Sequence, residues 1–76
     1  MREVLEYVAR ALVDDPEAVI VTEVEGDAGP VLRLEVDADD IGKVIGRQGR
    51  TARAIRDVVR AAGAKSGMIA QVEIVG

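Results

Sequence analysis

A two-layer α+β domain is the fold class this sequence predicts, with element order α-β-β-α-α-β and a three-stranded sheet covered by helices on one face. Three observations predict it. Two stretches repeat apolar residues at helical spacing, two others alternate apolar and polar residues, and the chain has only 76 residues. That length predicts one domain, 1–76, with no room for a second. A chain of this size buries only about 60% of the surface its unfolded form exposes, so modest stability and some help from self-association are expected.

From Glu3 to Val13, Val4, Leu5, Val8 and Leu12 recur at helical spacing with Glu3, Glu6 and Arg10 on the other side. Pro16 ends this helix, because it lacks an N–H and pushes Asp15 out of helical angles. Two β-branched runs follow, 19–24 and 31–36, separated by Gly26-Asp27-Ala28-Gly29-Pro30, which reads as a hairpin. In the second run Leu32, Leu34 and Val36 face one way and Arg33 and Glu35 the other, the period of a sheet with one wet face. Asp37 or Asp39 can cap a short helix through Ile45. A longer helix is predicted from Arg50 to Ala62, with Ala52, Ile55, Val59 and Ala62 on its apolar face and Arg50, Arg53, Arg56 and Arg60 opposite. Gly63 suits a left-handed end to that helix, and Met68 to Val75 reads as the last strand.

Composition narrows the function. Hydrophobic residues make up 49% and charged ones 32%, a folded balance, and one Tyr without Phe or Trp predicts an aliphatic core. The chain contains no Cys and no His, which removes disulfides, thiolate nucleophiles, Cys-ligated metals and the commonest general base. Tyr7 is the one phenol and Ser66 the one serine, with nothing basic arranged to activate either, so no enzyme activity, cofactor or metal is expected. No stretch approaches the ~20 apolar residues of a membrane span, and the start carries acids rather than a signal pattern, so a cytoplasmic location is expected.

The net charge of -4 hides a sharp division. Residues 1–40 hold 3 Arg against 12 acids, whereas residues 41–65 hold 7 Lys+Arg against Asp57 alone. A cationic segment inside an acidic protein points to a localised anion-binding face, although a solvated arginine-rich helix would give the same count. Within that segment, Ile41-Gly42-Lys43-Val44-Ile45-Gly46-Arg47-Gln48-Gly49 joins the two helices. Gly46 and Gly49 lack a Cβ, so a phosphate backbone can approach the main chain where the next helix opens with the positive end of its dipole. Lys43, Arg47 and Arg50 lie on or beside this turn, Arg53 is one turn further on, and Arg56 and Arg60 read as solvated. Val44 and Ile45 are expected to wall an apolar slot for bases, and Gly42 reads as a helix-packing site.

The run Val44-Ile45-Gly46-Arg47-Gln48-Gly49, followed by Ile55, resembles the GXXG signature of KH RNA-binding domains, a loop that clamps about four nucleotides of single-stranded RNA. A helix and strand ahead of the βααβ core is similar to the type II arrangement. Residues 40–52 are especially close to the small free-standing bacterial proteins of the KhpA family. The resemblance implies two parallel core strands with an added antiparallel strand, and a small RNA chaperone or post-transcriptional regulator. It also implies a homodimer, or a heterodimer with a second KH protein of the KhpB type. The RNA-binding residues it implies are Lys43, Val44, Ile45, Gly46, Arg47, Gln48, Gly49, Arg50 and Arg53. The short 63–67 connection leaves few extra contacts, so weak sequence specificity is expected.

Other readings compete for the same residues. A GXXG spacing alone also suits a tight helix–helix turn, but its place after a hairpin and its flanking cations favour nucleic acid. It is not a Walker loop, because no Gly-Lys-Ser/Thr ends the run. The pairs Asp14-Asp15 and Asp39-Asp40 suggest helix ends before they suggest a magnesium site. The main alternative function is a protein interaction or dimerisation module, with a second chain packed on Ala54, Val58 and Ala61.

Overall fold

Pro16 separates a first helix, α1 (Arg2–Leu12), from a strand pair, and the computed structural model describes residues 1–65, 67 and 69–75 of the chain. The remaining elements are β1 (Ile20–Gly26), β2 (Gly29–Glu35), α2 (Ile41–Ile45), α3 (Arg50–Lys65) and β3 (Gln71–Val75). Short 3₁₀ turns precede β1, α2 and α3. The sheet order is β1-β2-β3, with β1 antiparallel and β3 parallel to β2.

The hairpin is tighter than the sequence suggests. Gly26 pairs with Gly29, so Asp27 and Ala28 alone form the turn, and Pro30 sits inside β2 opposite Glu25. Proline is tolerated there because β2 pairs with β3 only from Val31 onward, so no ladder on that side needs its missing N–H. The predicted alternation holds: Leu32, Leu34 and Val36 are buried, while Arg33 and Glu35 are turned to the other face.

Leu5, Leu32, Leu34, Val44 and Val59 are the largest fully buried side chains, two of them from β2 and one each from α1, α2 and α3. The buried stripe of α1 is Leu5 and Ala9, continued by Val13 just past its end, rather than one including Leu12, which is exposed. α3 continues past Ala62 to Lys65 with Gly63 buried inside it. Gly63 therefore does not end the helix. It lies on the stripe of Ala52 and Val59, where burying that face outweighs the roughly 1 kcal/mol that glycine costs a helix. Gly67 instead takes the left-handed angle, with φ 72, and its N–H donates to Ala64 O. β3 begins at Gln71; the predicted start, Met68, lies outside the described residues. Among the described residues no helix is long and apolar enough to cross a membrane.

Candidate nucleic-acid interface

α2 is only five residues long, and the geometry at its end produces the loop. Gly46 N–H donates to Gly42 O at 2.9 Å, closing the helix, and Gly46 then adopts φ 74, ψ 173, a region essentially reserved for glycine. Gly49 N–H donates back to Gly46 O at 3.2 Å, which folds Arg47–Gly49 into a single turn before α3. Gln48 (φ 57) and Gly49 (φ 75) also have positive φ, and Gln48 is the one non-glycine to do so among the described residues. Holding Gln48 left-handed costs of order 1–2 kcal/mol and turns its exposed side chain outward.

The two glycines serve different ends. A Cβ on Gly46 would strike Thr51 in the first turn of α3, including its backbone nitrogen at 2.9 Å. A Cβ on Gly49 would meet nothing within 4 Å. Gly46 thus lets α3 pack on the loop, whereas the space over Gly49 is open. That space belongs to a groove of about 510 Å³, lined by Gly49, Ile45, Ala52 and Arg56 on the helical side and by Val31 and Gln71–Ile74 of the sheet. Its size falls in the range of about 300–1,000 Å³ typical of small-ligand sites.

The predicted residues divide on this frame. Gly46, Arg47, Gln48, Gly49 and Arg50 form the loop and its exit, with Arg47, Gln48 and Arg50 exposed. Arg50 Nη2 donates to Gln48 Oε1 at 3.4 Å, a long contact that leaves both groups at the surface. Ile45 is 38% exposed and walls the groove. Val44 does not wall it: the side chain is fully buried in the core, because successive positions of α2 point in different directions and only one can face the groove. Gly42 is exposed with open space beside it, so it is not a packing site. Arg53 is exposed one turn beyond the loop.

Lys43 is drawn away from the loop. Its Nζ lies 3.0 Å from Asp14 Oδ2 and 3.5 Å from Asp40 Oδ1. Asp40 is almost completely buried, and its Oδ2 accepts the Asp15 N–H at 3.1 Å, tying the exit of α1 to the entry of α2. Burial alone would push the Asp40 carboxyl up. The backbone N–H groups of Asp15 and Asp14, and then Lys43, more than offset this and hold it below its ordinary value. The Lys43 ammonium is raised, first by its hydrogen bond to Asp14 and then by that carboxylate's charge. Of the predicted caps, Asp37 is the one that acts, its Oδ1 accepting from Asp39 N–H at 2.9 Å.

Arg56 is the residue that sequence reasoning missed. Rather than being merely solvated, it lines the groove, and its Nε makes a long contact of 3.5 Å to Val72 O across the seam between α3 and β3. The signal was present as spacing: Gly49, Ala52 and Arg56 fall at i, i+3 and i+7, one face of a helix. Nothing in the sequence points to Gln71 or Val31 as groove residues. Among the described residues, Arg47, Arg50, Arg53 and Arg56 pair with no carboxylate, so the loop end of α3 carries uncompensated positive charge.

Known proteins resemble this chain in sequence and in fold. The chain is 51% identical over 75 residues to RNA-binding protein KhpA of Clostridium perfringens, covering 99% of this chain and all of that one. It is 48% identical to RNA-binding protein KhpA of Clostridium acetobutylicum, with the same coverage. RNA-binding protein KhpA of Aquifex aeolicus is 45% identical over 74 residues, spanning 97% of this chain and 94% of that one. Among solved structures, Era in complex with MgGDPNP and nucleotides 1506–1542 of 16S ribosomal RNA superposes with a TM-score of 0.62 at 21% identity. The match covers 96% of this chain and 28% of that one, a likeness of fold. The family model described as KhpA/KhpB, KH domain, matches residues 2–74. With its type II order of elements and its glycine-bounded loop, this chain belongs to the KhpA/KhpB KH domain family.

Proposed function

We propose that this chain binds single-stranded RNA without catalysing a reaction. The sugar-phosphate backbone lies over the Gly46–Gly49 loop and bases pack on Ile45 and Ala52 in the groove. The observation that carries this reading is the open space over Gly49, where a strand can approach the main chain without meeting a side chain. Arg47, Arg50, Arg53 and Arg56 supply the phosphate charge, and Gln48 a neutral donor. Lys43 acts indirectly, by fixing α2 against the exit of α1. Recognition rests chiefly on the backbone over the loop and on packing against Ile45 and Ala52, so sequence specificity is weak. That suits an RNA chaperone or post-transcriptional regulator in the bacterial cytoplasm. The test is a mobility shift with Arg47→Asp combined with Gln48→Asp: retention of single-stranded RNA is lost while the melting curve is kept. Unchanged affinity in a folded variant removes the reading.

A second reading coexists with the first. Val8 and Leu12 of α1 and Thr51, Ala54, Ile55 and Val58 of α3 bound a shallow hollow of about 190 Å³ on the flank of α3 away from the RNA groove. Leu12 and Val58 are partly exposed there. Burying these side chains against a second copy, or a second KH protein of the KhpB type, offsets the small core of a 76-residue chain. Such a dimer leaves both loops open and raises avidity for longer RNA.

A further inference from the structure

The groove beside the loop does not end at Arg56. Arg56, Gln71 and Val72 also border a second hollow of about 420 Å³, which continues along the seam between α3 and β3 to Arg60, Ile69 and Ala70. The two hollows form one track, with Arg56 at the junction. Arg56 and Arg60 are one helical turn apart, about 6 Å along the axis, so the positive charge of the first hollow is carried into the second.

The new residues have complementary chemistry. Arg60 Nη1 lies 3.8 Å from Asp57 Oδ1, and both side chains are about two-thirds exposed, at 67% and 66%. An ion pair this long and this wet is worth little and yields readily to a better anion. Ile69 is 69% exposed at the far end, an aliphatic surface beside a cation. A guanidinium next to an uncovered aliphatic side chain meets the two needs of a nucleotide, a charged phosphate and a flat apolar base.

We infer that this second hollow is an additional nucleotide subsite, in which Arg60 holds a phosphate and Ile69 packs a base. The bound strand then runs past the roughly four nucleotides that the loop groove accommodates. The inference rests on the RNA-binding reading above. Continuity with that groove, and two arginines at helical spacing, favour RNA over an acidic peptide as the occupant.

The experiment is a fluorescence-anisotropy titration of the whole chain with oligouridylates of four, six and eight nucleotides. The wild type is compared with Arg60→Ala combined with Ile69→Ala, both exposed positions whose truncation leaves the core intact. The wild type should gain roughly three- to tenfold between the four-mer and the six-mer beyond the statistical gain from extra registers, the scale of one partly solvated charge-assisted contact. The variant should bind the four-mer as the wild type does and keep only the statistical gain. A wild type that binds the four-mer and gains nothing further, or a variant that keeps the full gain, overturns the subsite. Failure of the wild type to bind any oligomer removes the RNA reading and the subsite together. Competition by a polyglutamate peptide that is lost in the variant, without any loss of length dependence, would assign the hollow to acidic peptide instead.

Discussion

Gly46 lies directly beneath Thr51: a Cβ at position 46 would come within 2.7 Å of Thr51 Cβ and 2.9 Å of its backbone nitrogen. The contact explains why the first glycine of the loop and the first turn of α3 behave as one unit. Gly46→Ala is expected to lower unfolding free energy by about 1–3 kcal/mol or more, through an unfavourable φ and a clash. Adding Thr51→Ala should not restore it, since the nitrogen and the left-handed angle remain. Gly49→Ala should cost less, about 1–2 kcal/mol, because its methyl enters open space. That methyl should instead weaken RNA binding out of proportion to stability. Urea melts and RNA titrations of the two variants check this; equal stability costs would contradict it.

Asp40 gives the fold an acid-sensitive joint. Its carboxyl is depressed, so the stability it contributes is complete above the unfolded carboxylate value of 3.8 and is lost as pH falls through the lower folded value. Asp40→Asn should therefore be less stable than the wild type near neutrality, and the two should converge below about pH 4. The raised Lys43 has the opposite sense: its contribution is complete below 10.5 and fades only as pH rises through the folded value. Melting temperatures of both proteins between acid and neutral pH measure the effect. A constant difference across the range would show that Asp40 carries no such linkage.

Salt dependence separates cations that touch RNA from those that hold the protein. For single strands, log K falls with log salt by about 0.7 per phosphate neutralised. Arg47→Ala should reduce that slope by about this amount. Lys43→Ala, whose charge is already spent on Asp14 and Asp40, should leave the slope unchanged while lowering stability. A slope change for Lys43 equal to that for Arg47 would return Lys43 to the RNA surface.

Much of this was legible in the sequence, and the failures have physical causes. Pro16 fixed the end of α1, and the alternation of residues 31–36 gave β2 its buried and exposed faces. The glycine pair was readable because only a positive φ or a close approach requires it. Val44 was misplaced because one residue of register in a five-residue helix decides between core and groove. The ion pair of Lys43 was not legible, because its partner Asp14 lies 29 positions earlier, beyond any local pattern. Gly63 looked like a helix end because glycine is a poor helix former, yet its place on the buried stripe overrides that preference. Arg56 was legible in its i+7 spacing from Gly49, but a floor made of β3 backbone cannot be seen from side-chain patterns.

The outer flank of α3 makes a separate claim. Val58 is 45% exposed in a hollow whose walls are apolar, and Val58→Glu should shift the protein from dimer to monomer in light scattering without altering its helix content. Affinity for a four-nucleotide RNA should stay the same, while affinity for RNA long enough to span two loops should fall. A wild type that is already monomeric at high micromolar concentration contradicts the dimer.

Backbone amide chemical shifts followed during titration with a short oligouridylate test the RNA-binding account most directly. The account places the largest changes at Ile45, Gly46 to Arg50, Ala52, Arg56 and Gln71, with Leu12, Ala54 and Val58 unmoved. Perturbations centred on the α1–α3 flank, or none at the glycine loop while the RNA is bound, would contradict it.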